Sequence, residues 1–100
     1  MLAKIIIKRR FKKGSTREVL PLLHDLRFAA MSQPGYVSGE TLMQYDDPRK
    51  LVVIGTWQDM NSWQQWKKDP RRNEFEAMLN VYQEEPTVYE EYVLGTALHD

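Results

Sequence analysis

The order of segments in this sequence predicts an α+β domain of ferredoxin-like topology: a four-stranded antiparallel sheet with all helices on one face. Three observations lead there. The chain opens with strand-like alternation, a helical apolar stripe follows directly, and two later extended segments are joined by a turn so short that they must pair as an antiparallel hairpin.

Residues 2–11 place Ala3, Ile5, Ile7 and Phe11 on one face and Lys4, Lys8 and Arg10 largely on the other, which is the period of a first strand. Lys13-Gly14-Ser15 interrupts it, and Ser15 with Glu18 three residues later has the form of a capping box. In the helix it opens, Val19, Leu22, Leu23, Leu26 and Ala30 form one stripe suited to packing on a sheet. Pro21 removes one backbone donor early in this helix and is expected to bend its first turns without ending it. Gln33-Pro34-Gly35 stops it.

Residues 36–45 read as a second strand, 46–49 as a turn and 51–57 as a third strand. Asp59 is placed to cap a short helix in which Met60, Trp63 and Trp66 share a side, and Asp69-Pro70 starts another as cap and first residue. That second helix shows Phe75, Met78, Leu79 and Tyr82 at helical spacing, a pattern expected of core. Pro86 marks its end and residues 87–94 form the fourth strand. The domain is expected to span residues 1–95, with 96–100 as a tail.

The third strand carries Leu51, Val53 and Trp57 on one face and Val52 and Ile54 on the other. One chain's helices cover a single face, so the second is expected to meet a second sheet in a symmetric homodimer. At 100 residues the chain has room for one domain, which by itself buries only about 60 to 65% of its unfolded surface.

Composition narrows the function classes. Fourteen basic residues balance fourteen acidic ones, so there is no global pull toward nucleic acid or an anionic membrane. The basic positions from Lys8 to Lys13, with Lys67, Lys68, Arg71 and Arg72, read as solvated edges that discourage aggregation, and Glu84, Glu85, Glu90 and Glu91 as surface. Without cysteine there is no disulfide, thiolate nucleophile or Cys-ligated metal. No His and carboxylate set has metal-ligand spacing, and no metal or cofactor is expected. The apolar run at Ile5–Ile7 is too short for a signal peptide or a membrane span, which gives a soluble, unprocessed, cytoplasmic expectation. His24 reads as a helix-surface residue and His99 as part of the tail.

Lys13-Gly14 after the first strand, Pro34-Gly35-Tyr36 opening the second, Trp57 closing the third, and Trp66 ahead of Asp69-Pro70 resemble, in order and spacing, the antibiotic biosynthesis monooxygenase family of dimeric α/β barrel proteins. The likeness runs over residues 2–94. It implies a pocket between sheet and helices, lined by Ile7, Trp66, Phe75, Glu76 and Leu79, and a cofactor-independent monooxygenase acting on a small hydrophobic or aromatic molecule. The family's haem-degrading branch requires an imidazole at the position matching Glu76 and an asparagine at that matching Ile7. Neither is present, and a carboxylate is a poor substitute for imidazole on iron, which ranks haem degradation behind the other readings. Quinol oxygenases of the family often carry histidines on the helices that here have none.

An oxygenase without a cofactor needs a substrate able to give an electron to oxygen, an apolar pocket, a group to take the substrate's proton and donors for the developing anion. Glu76 is the candidate base, with a pKa expected to be raised by desolvation beside Trp66, Phe75 and Leu79. It equally suits a position in solvent or a pair with Arg72 one turn away. Trp66 suits a pocket wall or plain core. The alternative function is a non-catalytic dimeric domain that binds a small ligand or serves as a structural module.

Overall fold

Alternation in the first ten residues produces what it predicts: β1 (Ala3–Arg10) lies in the middle of the sheet with every second side chain buried. A computed structural model describes residues 1–95 of the chain. The remaining elements are α1 (Thr16–Met31), β2 (Tyr36–Gln44), β3 (Asp47–Trp57), α2 (Met60–Lys67), α3 (Pro70–Asn80) and β4 (Val88–Val93), and the strands lie in the order β2-β3-β1-β4. All pairings are antiparallel. The predicted α+β, ferredoxin-like fold is therefore observed, with the helices on one face of the sheet.

The turn residues account for the connections. Gly35 adopts a φ of +84°, and a Cβ there would lie 2.3 Å from Ser62 Oγ, so only glycine fits between α1 and the start of α2. Asp59 accepts from the Ser62 amide at 2.7 Å and Asp69 from the Arg71 amide at 2.9 Å, the two caps expected from the sequence.

Three local expectations need correction. Ser15 does occupy the cap position of α1, but its hydroxyl donates to the Lys12 carbonyl at 2.6 Å and makes no cap bond, so the capping box does not form. The hairpin turn is shorter than four residues, because β3 begins at Asp47 opposite Gln44 and leaves only Tyr45 and Asp46 between the strands. Pro48 is accommodated because β3 there extends beyond the residues it pairs with β1.

The third correction concerns α3. Its buried residues are Arg72 and Leu79, while Met78 is exposed and Phe75 half-buried. The inward stripe is thus Arg72, Glu76 and Leu79, two of the three charged.

Two clusters form the core on the helix side. One gathers Ala3, Ile5, Ile7, Ala30, Trp57, Trp63 and Trp66; the other gathers Phe11, Val19, Leu51 and Leu79. The opposite face of the sheet carries Ile6, Val52 and Ile54 with Leu42, Val88 and Tyr92, and the last three are each about half exposed at 47%, 47% and 51%. No helix among the described residues is long and apolar enough to cross a membrane. The expected tail, with His99, lies outside the described residues.

Candidate functional site

Between the sheet and the helices is a cavity of about 70 Å³. Its floor is Ile5, Ile7, Val53 and Gly55 on β1 and β3; Leu23, Leu26 and Ala30 of α1 form one wall, and Trp63 and Trp66 of α2 another. All three tryptophans of the chain line it, with Tyr36 beside them. Tyr36 meets Trp57 edge to face at a centroid distance of 5.3 Å, Trp57 lies 6.0 Å from Trp63, and Trp63 lies 6.2 Å from Tyr89, a run of aromatic rings that fixes the walls.

The charged lining is cationic. Arg9, Arg27 and Arg72 reach the cavity, and among the described residues no aspartate or glutamate does. Arg27 bridges from α1 to β2, donating to the Gly39 carbonyl at 3.1 Å and to Thr41 Oγ1 at 2.8 Å. Gly39 permits this approach, since a Cβ there would come within 3.1 Å of the Arg27 guanidinium carbon and 2.8 Å of the Tyr36 hydroxyl. Arg72 stacks between two rings, 5.2 Å from the centroids of both Trp63 and Tyr89, and donates to the Tyr89 hydroxyl at 3.0 Å.

Arg9 overturns the reading of the basic run as solvated edge. It shares the inward face of β1 with Ile5 and Ile7, is 3% exposed, and is paired with Glu76 through two bonds of 2.5 and 2.8 Å. Arg72 is equally buried at 3% and lies 3.2 Å from the same carboxylate. Glu91, read from the sequence as surface, accepts from Trp63 Nε1 at 2.5 Å and from Lys67 at 3.1 Å, and so ties β4 to α2. The Trp63 bond is the main reason its pKa is lowered, against desolvation and with help from Lys67.

The site residues expected from the sequence separate. Ile7 and Trp66 line the cavity; Phe75, Glu76 and Leu79 do not. Leu79 is fully buried in the second core cluster. The raised pKa expected for Glu76 is reversed. Desolvation does push it up, but the Arg9 hydrogen bonds and charge, the Arg72 charge and the Thr87 hydroxyl together outweigh that and hold the carboxyl below its ordinary value. The anticipated Arg72–Glu76 pair is present, joined by an Arg9 that the sequence reading had placed in solvent. Strand parity was the available signal, because position 9 is in phase with Ala3, Ile5 and Ile7.

These residues do not suit haem. The position that would need an imidazole holds a carboxylate committed to two arginines, and among the described residues no histidine lines the cavity. His24 is solvent-exposed, and among the described residues no group of three or more His, Asp or Glu side chains is placed to hold a metal ion.

Comparison with known proteins agrees with this architecture. No curated protein matches the chain. Among solved structures, a conserved protein from Methanosarcina mazei Go1 superposes with a TM-score of 0.87 at 17% identity, over 93% of this chain and 92% of its own. An antibiotic biosynthesis monooxygenase superposes at 0.86 with 20% identity, over 96% and 100%. SnoaB, a cofactor-independent oxygenase from Streptomyces nogalater, gives 0.84 at 15%, over 99% and 98%. At these identities the likeness establishes a shared fold. The model of the antibiotic biosynthesis monooxygenase family matches residues 3–78, and the chain belongs to that family.

Proposed function

We propose that this protein is a cofactor-independent monooxygenase of a small electron-rich aromatic, a quinol or hydroxyaromatic, working as a homodimer joined through the bare face of its sheet. The observation that carries the reading is the cavity wall: three tryptophans and a tyrosine beside guanidinium groups, with no carboxylate among the described residues. The fold shared with SnoaB, itself a cofactor-independent oxygenase, supports it.

The rings offer stacking surfaces for an aromatic substrate. The guanidinium groups favour the ionised form of its hydroxyl, and an ionised hydroxyaromatic is a better electron donor to dioxygen than the neutral one. One oxygen atom enters the product as a quinone carbonyl, the other leaves as water, and the substrate supplies all the electrons that dioxygen takes up. Ile7 and Trp66 are the expected contacts that remain in this reading. Glu76, the candidate base, holds Arg9 and Arg72 in place, and the hydroxyl proton passes to solvent.

A cavity of about 70 Å³ is smaller than the roughly 150 Å³ of a cavity that binds benzene. Substrate entry therefore requires the cavity to widen. The same small volume favours a second reading, a small-ligand-binding domain without turnover.

An oxygen electrode with a panel of quinols and hydroxyaromatics separates the two. Uptake above each compound's own autoxidation is the expected result. Thermal stabilisation by ligands with no uptake across the panel establishes the second reading in its place. For the assembly, light scattering is expected to give twice the chain mass of 11.8 kDa.

A further inference from the structure

A buried guanidinium is costly unless its charge and all its donors are answered. Arg9 answers only part of them. Its Nη1 donates to Glu76 Oε2 at 2.8 Å, Gln83 Oε1 at 3.2 Å and Thr87 Oγ1 at 3.3 Å, and its Nη2 donates to Glu76 Oε1 at 2.5 Å. Glu76 thus takes the group end-on, by its two terminal nitrogens. The side edge is left over. Nε is buried without a partner among the described residues, and the second N–H of Nη2 lies on the same edge. Such an edge presents two parallel donors at the spacing of a carboxylate's two oxygens.

Charge is unbalanced in the same place. Arg9 and Arg72 share the single carboxylate of Glu76, which leaves one positive charge over among these three side chains. The remaining contacts of Arg72, the Tyr89 hydroxyl and the faces of Trp63 and Tyr89, attract a cation without cancelling it. Both arginines line a cavity whose lining, among the described residues, contains no acidic residue.

We propose that the cavity takes its ligand as an aromatic carboxylate, with the carboxylate seated on the Nε–Nη2 edge of Arg9 and the ring against Trp63 and Trp66. This rests on the aromatic-ligand reading above, including the widening of the cavity. An amide or hydroxyl at the same place offers one acceptor where two donors wait, and leaves the surplus charge unanswered.

Binding to the full-length chain is read by tryptophan fluorescence, since every tryptophan lines the cavity, with benzoate and benzamide as matched probes. Benzoate is expected to bind about tenfold tighter or more, the scale of a charge-assisted contact. In Arg9→Lys, which keeps the surplus charge facing Glu76 but has no side edge, the preference is expected to shrink to the part that charge alone supplies. A thermal melt shows whether that variant is folded, and the wild-type comparison stands either way. The proposal is overturned if benzamide binds as tightly as benzoate, if neither probe binds, or if folded Arg9→Lys keeps the preference undiminished. Equal binding of both probes removes the carboxylate and leaves the aromatic cavity standing, and oxygen uptake with uncharged quinols tests the monooxygenase reading separately.

Discussion

Replacing Glu76 with glutamine tests whether the buried charge cluster supports the fold. The carboxylate receives two bonds from Arg9, lies 3.2 Å from Arg72 and accepts from Thr87 Oγ1 at 3.4 Å. The arginine side chains are 1% and 3% exposed, so they cannot turn to water when their counter-charge goes. Removing one partner of a buried pair costs about 3 to 5 kcal/mol. Glu76 is itself 16% exposed and glutamine keeps one acceptor, which places Glu76→Gln at the low end, about 3 kcal/mol. In a domain of this size that lowers Tm by roughly 10 to 20 °C.

The pH dependence follows from the direction of the Glu76 shift. Its folded pKa lies below its ordinary value of 4.5, so the ion pair contributes fully above pH 4.5 and is lost as pH falls through the folded value. Glutamine does not titrate. The gap between wild type and variant should therefore be widest near neutrality and close in acid. Urea unfolding followed by tryptophan fluorescence across that range measures it. A variant within about 0.5 kcal/mol of wild type at pH 7, or a gap that persists unchanged below pH 4, refutes the reasoning.

Gly35→Ala combines a left-handed backbone with a Cβ 2.3 Å from Ser62 Oγ and 2.5 Å from Ser62 Cβ, and is expected to lower stability by about 2 kcal/mol or more in thermal melts. Adding Ser62→Gly should restore the share due to the clash and leave the backbone share. Leu79→Ala empties a fully buried core position at a cost of about 2 to 5 kcal/mol, while oxygen uptake or ligand affinity of the folded fraction is expected to stay near wild type, because Leu79 lies outside the cavity. Ile54→Lys puts a charge in the middle of the bare sheet face, and light scattering should show the chain mass of 11.8 kDa where wild type shows twice that.

The helix caps at Asp59 and Asp69, the α1 stripe and the order of elements along the chain were legible because each depends on neighbours within a few residues. So was the helix stop at Gln33-Pro34-Gly35, although only the approach of Ser62 shows why glycine is required there. Ile7 and Trp66 were placed at the cavity by family likeness. The remaining wall was less accessible: Trp57 was read as the close of a strand and Trp63 as a helix face, and neither reading says that the two rings lie 6.0 Å apart across one space.

By itself the sequence determined the elements, their order and the existence of two apolar faces on one sheet, because strand and helix periods are local and repeat within a single segment. Parity along β1 carried the inward direction of Arg9 as well, although the basic run around it reads as a solvated edge. What answers that buried charge was decided only by tertiary structure. Glu76 is 67 residues away on α3, and its pKa, its absence from the cavity and the open edge of Arg9 all depend on how a helix packs across a sheet, which no local pattern specifies.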